Sequence, residues 1–173
     1  MKKEHELKVV SIRLVDEQPL MSSKELKTPE DAVRLMAEEL RKYDRELLCV
    51  LNLRTNGQVI NMNVVSMGTL CHSIVSPREL FKSSILSNAA SIILMHNHPS
   101  GSCKPSKEDI LITKRIATCG DMLGIEVLDH IIVGSRGRYY SFGENYEMSK
   151  LSLIKEKIAE PTIPNHRDVG RKK

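Results

Sequence analysis

Tryptophan is absent, and only two phenylalanines and four tyrosines occur in 173 residues. A surface that stacks unpaired bases needs several aromatic faces, so this scarcity argues against single-strand recognition of that kind. Apolar runs are short: none approaches the roughly 20 residues that a membrane-spanning helix requires. The charged start, MKKEHELK, leads into no apolar stretch of signal-peptide type. The chain therefore reads as cytoplasmic, with no membrane partner. Glycine-rich phosphate loops of either common kind are missing, which argues against a nucleotide cofactor. Cys49, Cys71, Cys103 and Cys119 form no C-x-x-C pair and match neither a disulfide framework nor a zinc ribbon, so reduced thiols are expected. Cys49, inside LLCVLNL, reads as a small buried hydrophobe; Cys103 reads as a loop residue, with an extra ligand or redox switch as the alternative. The excess of 26 basic over 22 acidic residues is too mild for a dedicated DNA binder, although it does not exclude DNA.

A chain of this length holds one full-sized core. LKVVSIRLV alternates like a strand, and the stretch after it is rich in breakers. Residues 1–27 are therefore taken as an N-terminal strand and linker. Thr28 as N-cap, Pro29 at the first helical position, and Val33, Met36, Ala37 and Leu40 at helical spacing predict a helix ending near Tyr43. ELLCVLNLRTNGQVINMNVVSMG reads as a hairpin turning at Asn56-Gly57. Ser76, Pro77 and Glu79 form a capping-box pattern that predicts a second helix. ASIILMH is a short buried strand, and SKEDILITKRIATCGDML is a third helix stopped by Gly124. IEVLDHIIVG and RGRYYSF read as a strand and its hairpin partner. YEMSKLSLIKEKIAE is expected to form a terminal amphipathic helix, and the basic end is expected to be disordered. Residues 28–145 then form an α/β domain with a mixed sheet between helices, and 146–173 an appendage.

The chemistry lies in MHNHPSGSCKPSKED. Alternate strand residues point the same way, so His96 and His98 present both imidazoles to one place, which suits a metal. Zinc in catalytic sites takes three protein ligands and leaves a fourth position open. Asp109 is the natural third ligand, because the loop from Pro99 to Pro105 can bring the first turn of the next helix back over the histidines. Ser106-x-x-Asp109, taken alone, is an ordinary N-capping pattern.

Together, His96-x-His98-x7-Ser106-x2-Asp109 resembles the signature of the JAMM (JAB1/MPN/Mov34) metalloenzymes. HNHPSG with LGIEVLDHIIVG looks like the bacterial RadC family, over roughly residues 28 to 142. The resemblance implies a single JAB/MPN-like, cytidine-deaminase-like domain, with a mixed, mostly antiparallel sheet flanked by helices. It implies a Zn2+ hydrolase in which His96, His98 and Asp109 hold the metal with a water, Ser106 assists the tetrahedral intermediate and Glu46, opening ELLCVLNL, is the general base. Glu79 is the fallback base, with helix capping as its other role. His130 is placed either behind the ligands as a supporting group or, more simply, as a buried strand histidine with a backbone partner; Asp129 carries the same two readings. Longer RadC-type proteins carry a helix-hairpin-helix region, and nothing before residue 28 is long enough for one, so a stand-alone catalytic domain is expected.

Three functions follow as expectations. The first is a metalloprotease-like hydrolase cutting a peptide or isopeptide bond of an unidentified peptide or protein substrate. The second is a DNA-repair accessory protein or metal-dependent nuclease. The third is a non-catalytic interaction module.

Overall fold

A computed structural model describes residues 25–68, 75–145 and 148. Helix α1 (Pro29–Arg41) leads into strands β1 (Leu47–Leu53) and β2 (Val59–Met67), helix α2 (Pro77–Leu86) and strand β3 (Ser91–Asn97). Helix α3 (Lys107–Leu123), strands β4 (Glu126–Val133) and β5 (Tyr139–Ser141), and the four-residue helix α4 (Phe142–Asn145) follow. The five strands make one mixed sheet in the order β2-β1-β3-β4-β5. All pairs are antiparallel except β3 and β4, which run parallel because α3 carries the chain back across the sheet. The α/β domain read from the sequence is the one that forms.

Helices cover both faces of the sheet, so β1 and β3 are buried at every position. That explains why LLCVLNL and SIILMHN show no polar alternation. On one face, Ala32, Val33, Met36, Ala37 and Leu40 of α1 pack on Leu47, Cys49, Leu51, Ile93, Met95 and Ile131. On the other, Leu80 and Phe81 of α2 and Ile116 of α3 pack on Leu48, Val50, Ile92, Leu94 and Val127. Burial pushes the Cys49 thiol up to about 12, so Cys49 is an inert core residue. Gly120 lets α3 approach β4 closely: a Cβ there would stand 2.5 Å from the Ile125 carbonyl oxygen.

Within the described residues the predicted elements form, with two adjustments. Helix α1 ends at Arg41, two residues short of Tyr43. Ser76 precedes α2 in extended conformation, but its side chain caps nothing, so the capping box with Glu79 does not form. The N-terminal strand and most of the terminal helix lie outside the described residues. Among the described residues, no helix is long and apolar enough to cross a membrane.

Candidate metal centre

The site is assembled from the ends of β1 and β3, the start of α3 and the inner part of β4. β3 delivers His96 at its end, and His98 follows after the strand stops. Its backbone N–H still donates to the Val133 carbonyl of β4 at 3.2 Å. The chain then reverses: Gly101 N–H donates to the His98 carbonyl at 2.8 Å, with Gly101 at φ +75°, a conformation that favours glycine. A Cβ at Gly101 would also lie 2.9 Å from Ser135, so the loop packs tightly against the turn that follows β4.

Ser106 caps α3. Its hydroxyl accepts from Asp109 N–H at 3.0 Å and donates to Asp109 Oδ2 at 2.6 Å, while its own N–H donates to the same oxygen at 2.7 Å. The capping reading of Ser106-x-x-Asp109 is thus realised, and the cap also aims the carboxylate. Asp109 Oδ1 lies 3.3 Å from His96 Nε2, and Oδ2 lies 3.5 Å from His98 Nε2. The two histidine Nε2 atoms are 3.0 Å apart. One ligand atom from each of His96, His98 and Asp109 falls within 4.8 Å of the others, the one such cluster among the described residues.

Two nitrogens and a carboxylate oxygen at this spacing fit the donor set of a zinc site with an open position. His98 is set up for it, since its Nδ1–H donates to the Ser102 carbonyl at 3.0 Å and leaves Nε2 facing the cluster. Burial alone would raise the Asp109 pKa. Hydrogen bonds from His96 and His98, the charge of His96 and the hydrogen bond from Ser106 outweigh it, so the carboxyl stays ionised far below the usual carboxylate range. His98 moves the opposite way, raised first by its hydrogen bond to Asp109 and, more weakly, by the charge of Glu46.

Glu46 stands immediately before β1 and is partly buried. β1 and β3 pair with Leu48 opposite His96, and carrying that antiparallel register two residues further sets Glu46 opposite His98. Alternation places Glu46 on the side of Leu48 and Val50, the face that also carries His96. Its backbone is fixed: the Glu46 carbonyl accepts from Gly68 N–H at 2.9 Å. Asn97, between the two histidines, brackets Glu46 through Oδ1, which accepts from Leu47 N–H at 2.8 Å, and Nδ2, which donates to the Arg45 carbonyl at 3.1 Å. Glu79, the fallback base, instead pairs with Lys82 and Arg78 on the exposed side of α2.

Behind the ligands lies His130, fully buried on β4. Its partners are side chains, not the backbone group expected of a strand histidine: Nε2 meets His96 Nδ1 at 2.8 Å, and Nδ1 meets Thr113 Oγ1 at 2.6 Å. Desolvation holds its pKa well below the ordinary value. Asp129 faces away from this cluster, accepting from Ser141 Oγ, Gly143 N–H and His130 N–H, and so fixes the corner between β4 and α4. Its burial raises its pKa. Cys103 is half-buried in the loop and is not one of the clustered residues. Asn97 and Thr113 escaped sequence reasoning. The only signal for Asn97 was a carboxamide at the buried end of an apolar strand, and for Thr113 a hydroxyl one turn after Asp109.

The RadC-like JAB domain sequence model matches residues 26–148. The chain belongs to this family. Relatives of the RadC-like JAB domain include a UPF0758 protein of Desulforamulus reducens, 52% identical over 109 residues, covering 63% of this chain and 48% of that protein. A UPF0758 protein of Clostridium acetobutylicum is 50% identical over 122 residues, covering 70% and 53%. One from Methanosarcina mazei is 45% identical over 118 residues, covering 68% and 51%. The chain thus spans about half the length of these curated relatives. All of the clustered residues, together with Glu46 and Ser106, fall within the matched JAB segment.

Proposed function

We propose that this RadC-like JAB domain is a zinc-dependent hydrolase of the JAMM class that cuts a peptide or isopeptide bond. The observation that carries the reading is the convergence of His96, His98 and Asp109 at the mouth of β3, and Glu46, two residues before the Leu48–His96 pair, supports it. His96, His98 and Asp109 would hold the zinc. When bound, it would lower the pKa of water and polarise a carbonyl oxygen.

The chain's own groups do the rest. Glu46 accepts the proton of the attacking water and returns it to the departing amine, so that water is added across the amide and no further reactant is needed. Ser106 is the donor toward the developing oxyanion. Its hydroxyl proton now points at Asp109 Oδ2. With a metal held on that carboxylate, the charge drawn from it would weaken it as an acceptor and free the hydroxyl to turn toward the substrate. Asn97 keeps Glu46 at its station by holding the backbone on either side of it.

The test is a screen of zinc-loaded protein against quenched peptide libraries, isopeptide-linked lysine substrates and plasmid DNA, run in parallel with Glu46→Gln. Turnover of an amide substrate that falls about 10²- to 10⁴-fold in Glu46→Gln, with zinc retained, is the expected result. Full activity in Glu46→Gln would remove Glu46 as the base. Cleavage of DNA alone would transfer the site to phosphodiester chemistry.

A further inference from the structure

We propose that a band of cations on one side of the metal centre seats an acidic stretch of the polypeptide the site acts on, with Arg41, Lys104, Arg136 and Arg138 as the groups that select it. What is cut rests on the amide-hydrolase reading above; what is bound rests on these cations alone.

Charge is unevenly compensated at this end of the sheet, where β1 begins and β3 and β4 end. Lys42 pairs with Glu39, Arg45 with Asp44, and Lys82 with Glu79. Lys107 is followed by Glu108 in the first turn of α3. Arg41, Lys104, Arg136 and Arg138 are all exposed, and among the described residues none of them has a carboxylate partner. Glu30 of α1 does not supply one, because it accepts from the Tyr139 hydroxyl at 2.6 Å.

The fold gathers the band from three separated segments. Loop 99–105 and the turn after β4 lie against each other: a Cβ at Gly134 would stand 3.2 Å from Cys103 Cβ, and Ser135 N–H donates to the Gly101 carbonyl at 3.0 Å. Lys104 follows Cys103 and precedes the Ser106 cap by two residues. Arg138 is anchored to the same loop, since its Nη2 donates to the Gly101 carbonyl at 3.4 Å and to Ser135 Oγ at 3.1 Å. Both acceptors are neutral, so they orient the guanidinium without cancelling its charge. From the other side, the end of α1 brings Arg41 Nη2 to 3.8 Å from the place a Gly137 Cβ would take. Arg136 stands between them at φ +55° and ψ +35°, a left-handed conformation that glycine adopts at no steric cost. The turn itself gives no reason for an arginine there, whereas a ligand of opposite charge does.

Guanidinium groups match carboxylates and phosphates alike. A duplex-binding surface commonly neutralises about 6 to 10 phosphates along a groove. Here the uncompensated charge stops at one side of the site, and scarce aromatics give unpaired bases little to stack on. Carboxylates on an extended peptide, crossing the loop that carries His98 and Ser106, fit that extent. Such exposed contacts are screened by salt and form equally before and during reaction, so they act on KM and not on kcat.

The experiment is fluorescence anisotropy of the full chain with a labelled poly-glutamate peptide, a poly-glutamine peptide of equal length and a DNA duplex. Wild type is compared with the triple variant Arg41→Gln/Lys104→Gln/Arg136→Gly. None of these three side chains makes a hydrogen bond or ion pair among the described residues, and glycine suits position 136, so the fold should be kept. Lys27→Gln/Arg34→Gln/Arg54→Gln removes the same charge toward the hairpin turn, where Leu26 N–H meets the Gly57 carbonyl. Binding of poly-glutamate over poly-glutamine, weakened on the order of 10- to 100-fold in the first triple and by less than about 2-fold in the second, is expected. Equal binding by wild type and the first triple, or equal losses in both triples, would overturn the proposal. Tighter binding of DNA than of poly-glutamate, lost in the first triple, would also overturn it and give the band to nucleic acid. Poly-glutamate held through these cations by a protein that cleaves no amide would keep the band and remove the hydrolase reading instead. For an acidic peptide that is cleaved, the first triple should raise KM and leave kcat; a fall in kcat at constant KM would contradict a seating role.

Discussion

Thr28-x-x-Asp31 before α1 and Ser106-x-x-Asp109 before α3 are the same local device. In both, the N-cap hydroxyl accepts from the N–H of the aspartate three residues on, and the aspartate accepts from the N-cap backbone. In both, acidic side chains occupy the positive end of the helix. Their surroundings differ. The Asp31 side chain keeps 30% of its surface in solvent and, among the described residues, meets the backbone of Lys27 and Thr28, the Thr28 hydroxyl and Arg34. The Asp109 side chain keeps 2% and faces two imidazoles. One box closes a helix; the other closes a helix and aims a carboxylate into a cluster able to hold a metal. What separates them is the chain brought alongside, since β3 ends at the start of α3 and, among the described residues, no strand brings imidazoles to the start of α1.

The largest expected effect of that difference is on thermal stability with and without zinc. At zinc about 1,000-fold above its dissociation constant the folded state gains about 4 kcal/mol, a rise in Tm on the order of 10 °C that a chelator reverses. Asp31→Asn should keep that rise, and Asp109→Asn should lose it; scanning calorimetry with and without chelator reads both. A rise that survives in Asp109→Asn would make the two boxes equivalent.

A smaller effect separates the hydroxyls. Thr28→Ala and Ser106→Ala should each cost about 1 kcal/mol by denaturant titration, the ordinary value of a cap. Only Ser106→Ala should also slow hydrolysis, by about 10²- to 10³-fold, if its hydroxyl serves the oxyanion.

The smallest effect concerns α2. Ser76-x-x-Glu79 spells the same pattern, yet the Ser76 side chain makes no cap and Glu79 turns to Lys82. Ser76→Ala should therefore shift stability by less than about 0.5 kcal/mol. A loss comparable to that of Thr28→Ala would mean that the box forms in solution.

These three helix starts show what sequence makes legible. Capping patterns, helical spacing and the Asn56-Gly57 turn depend on neighbours within a few residues, so α1, the β1–β2 hairpin and α3 could be read directly. His96 and His98 were equally readable, because strand alternation alone puts both imidazoles on one side. Asp109 needed only a short loop to return. Asn97 was hidden because its partners, Arg45 and Leu47, lie about fifty residues away and become neighbours only through the pairing of β1 with β3. Thr113 and His130 were hidden for the same reason, since their contact requires the parallel register of β3 with β4 and the close seating of α3 that Gly120 permits. His130 was recognisable as a buried histidine, but its partners were not. Ser76 shows the opposite error, a local pattern that the surrounding chain does not use.

The central claim is that the box at α3, unlike the one at α1, helps to build a metal centre. Zinc content per chain by elemental analysis tests it most directly, in wild type, Asp31→Asn and Asp109→Asn purified side by side without added metal. About one zinc per chain in wild type and Asp31→Asn, and little or none in folded Asp109→Asn, is the predicted result. Folded wild type without zinc, or Asp109→Asn holding as much zinc as wild type, would contradict it.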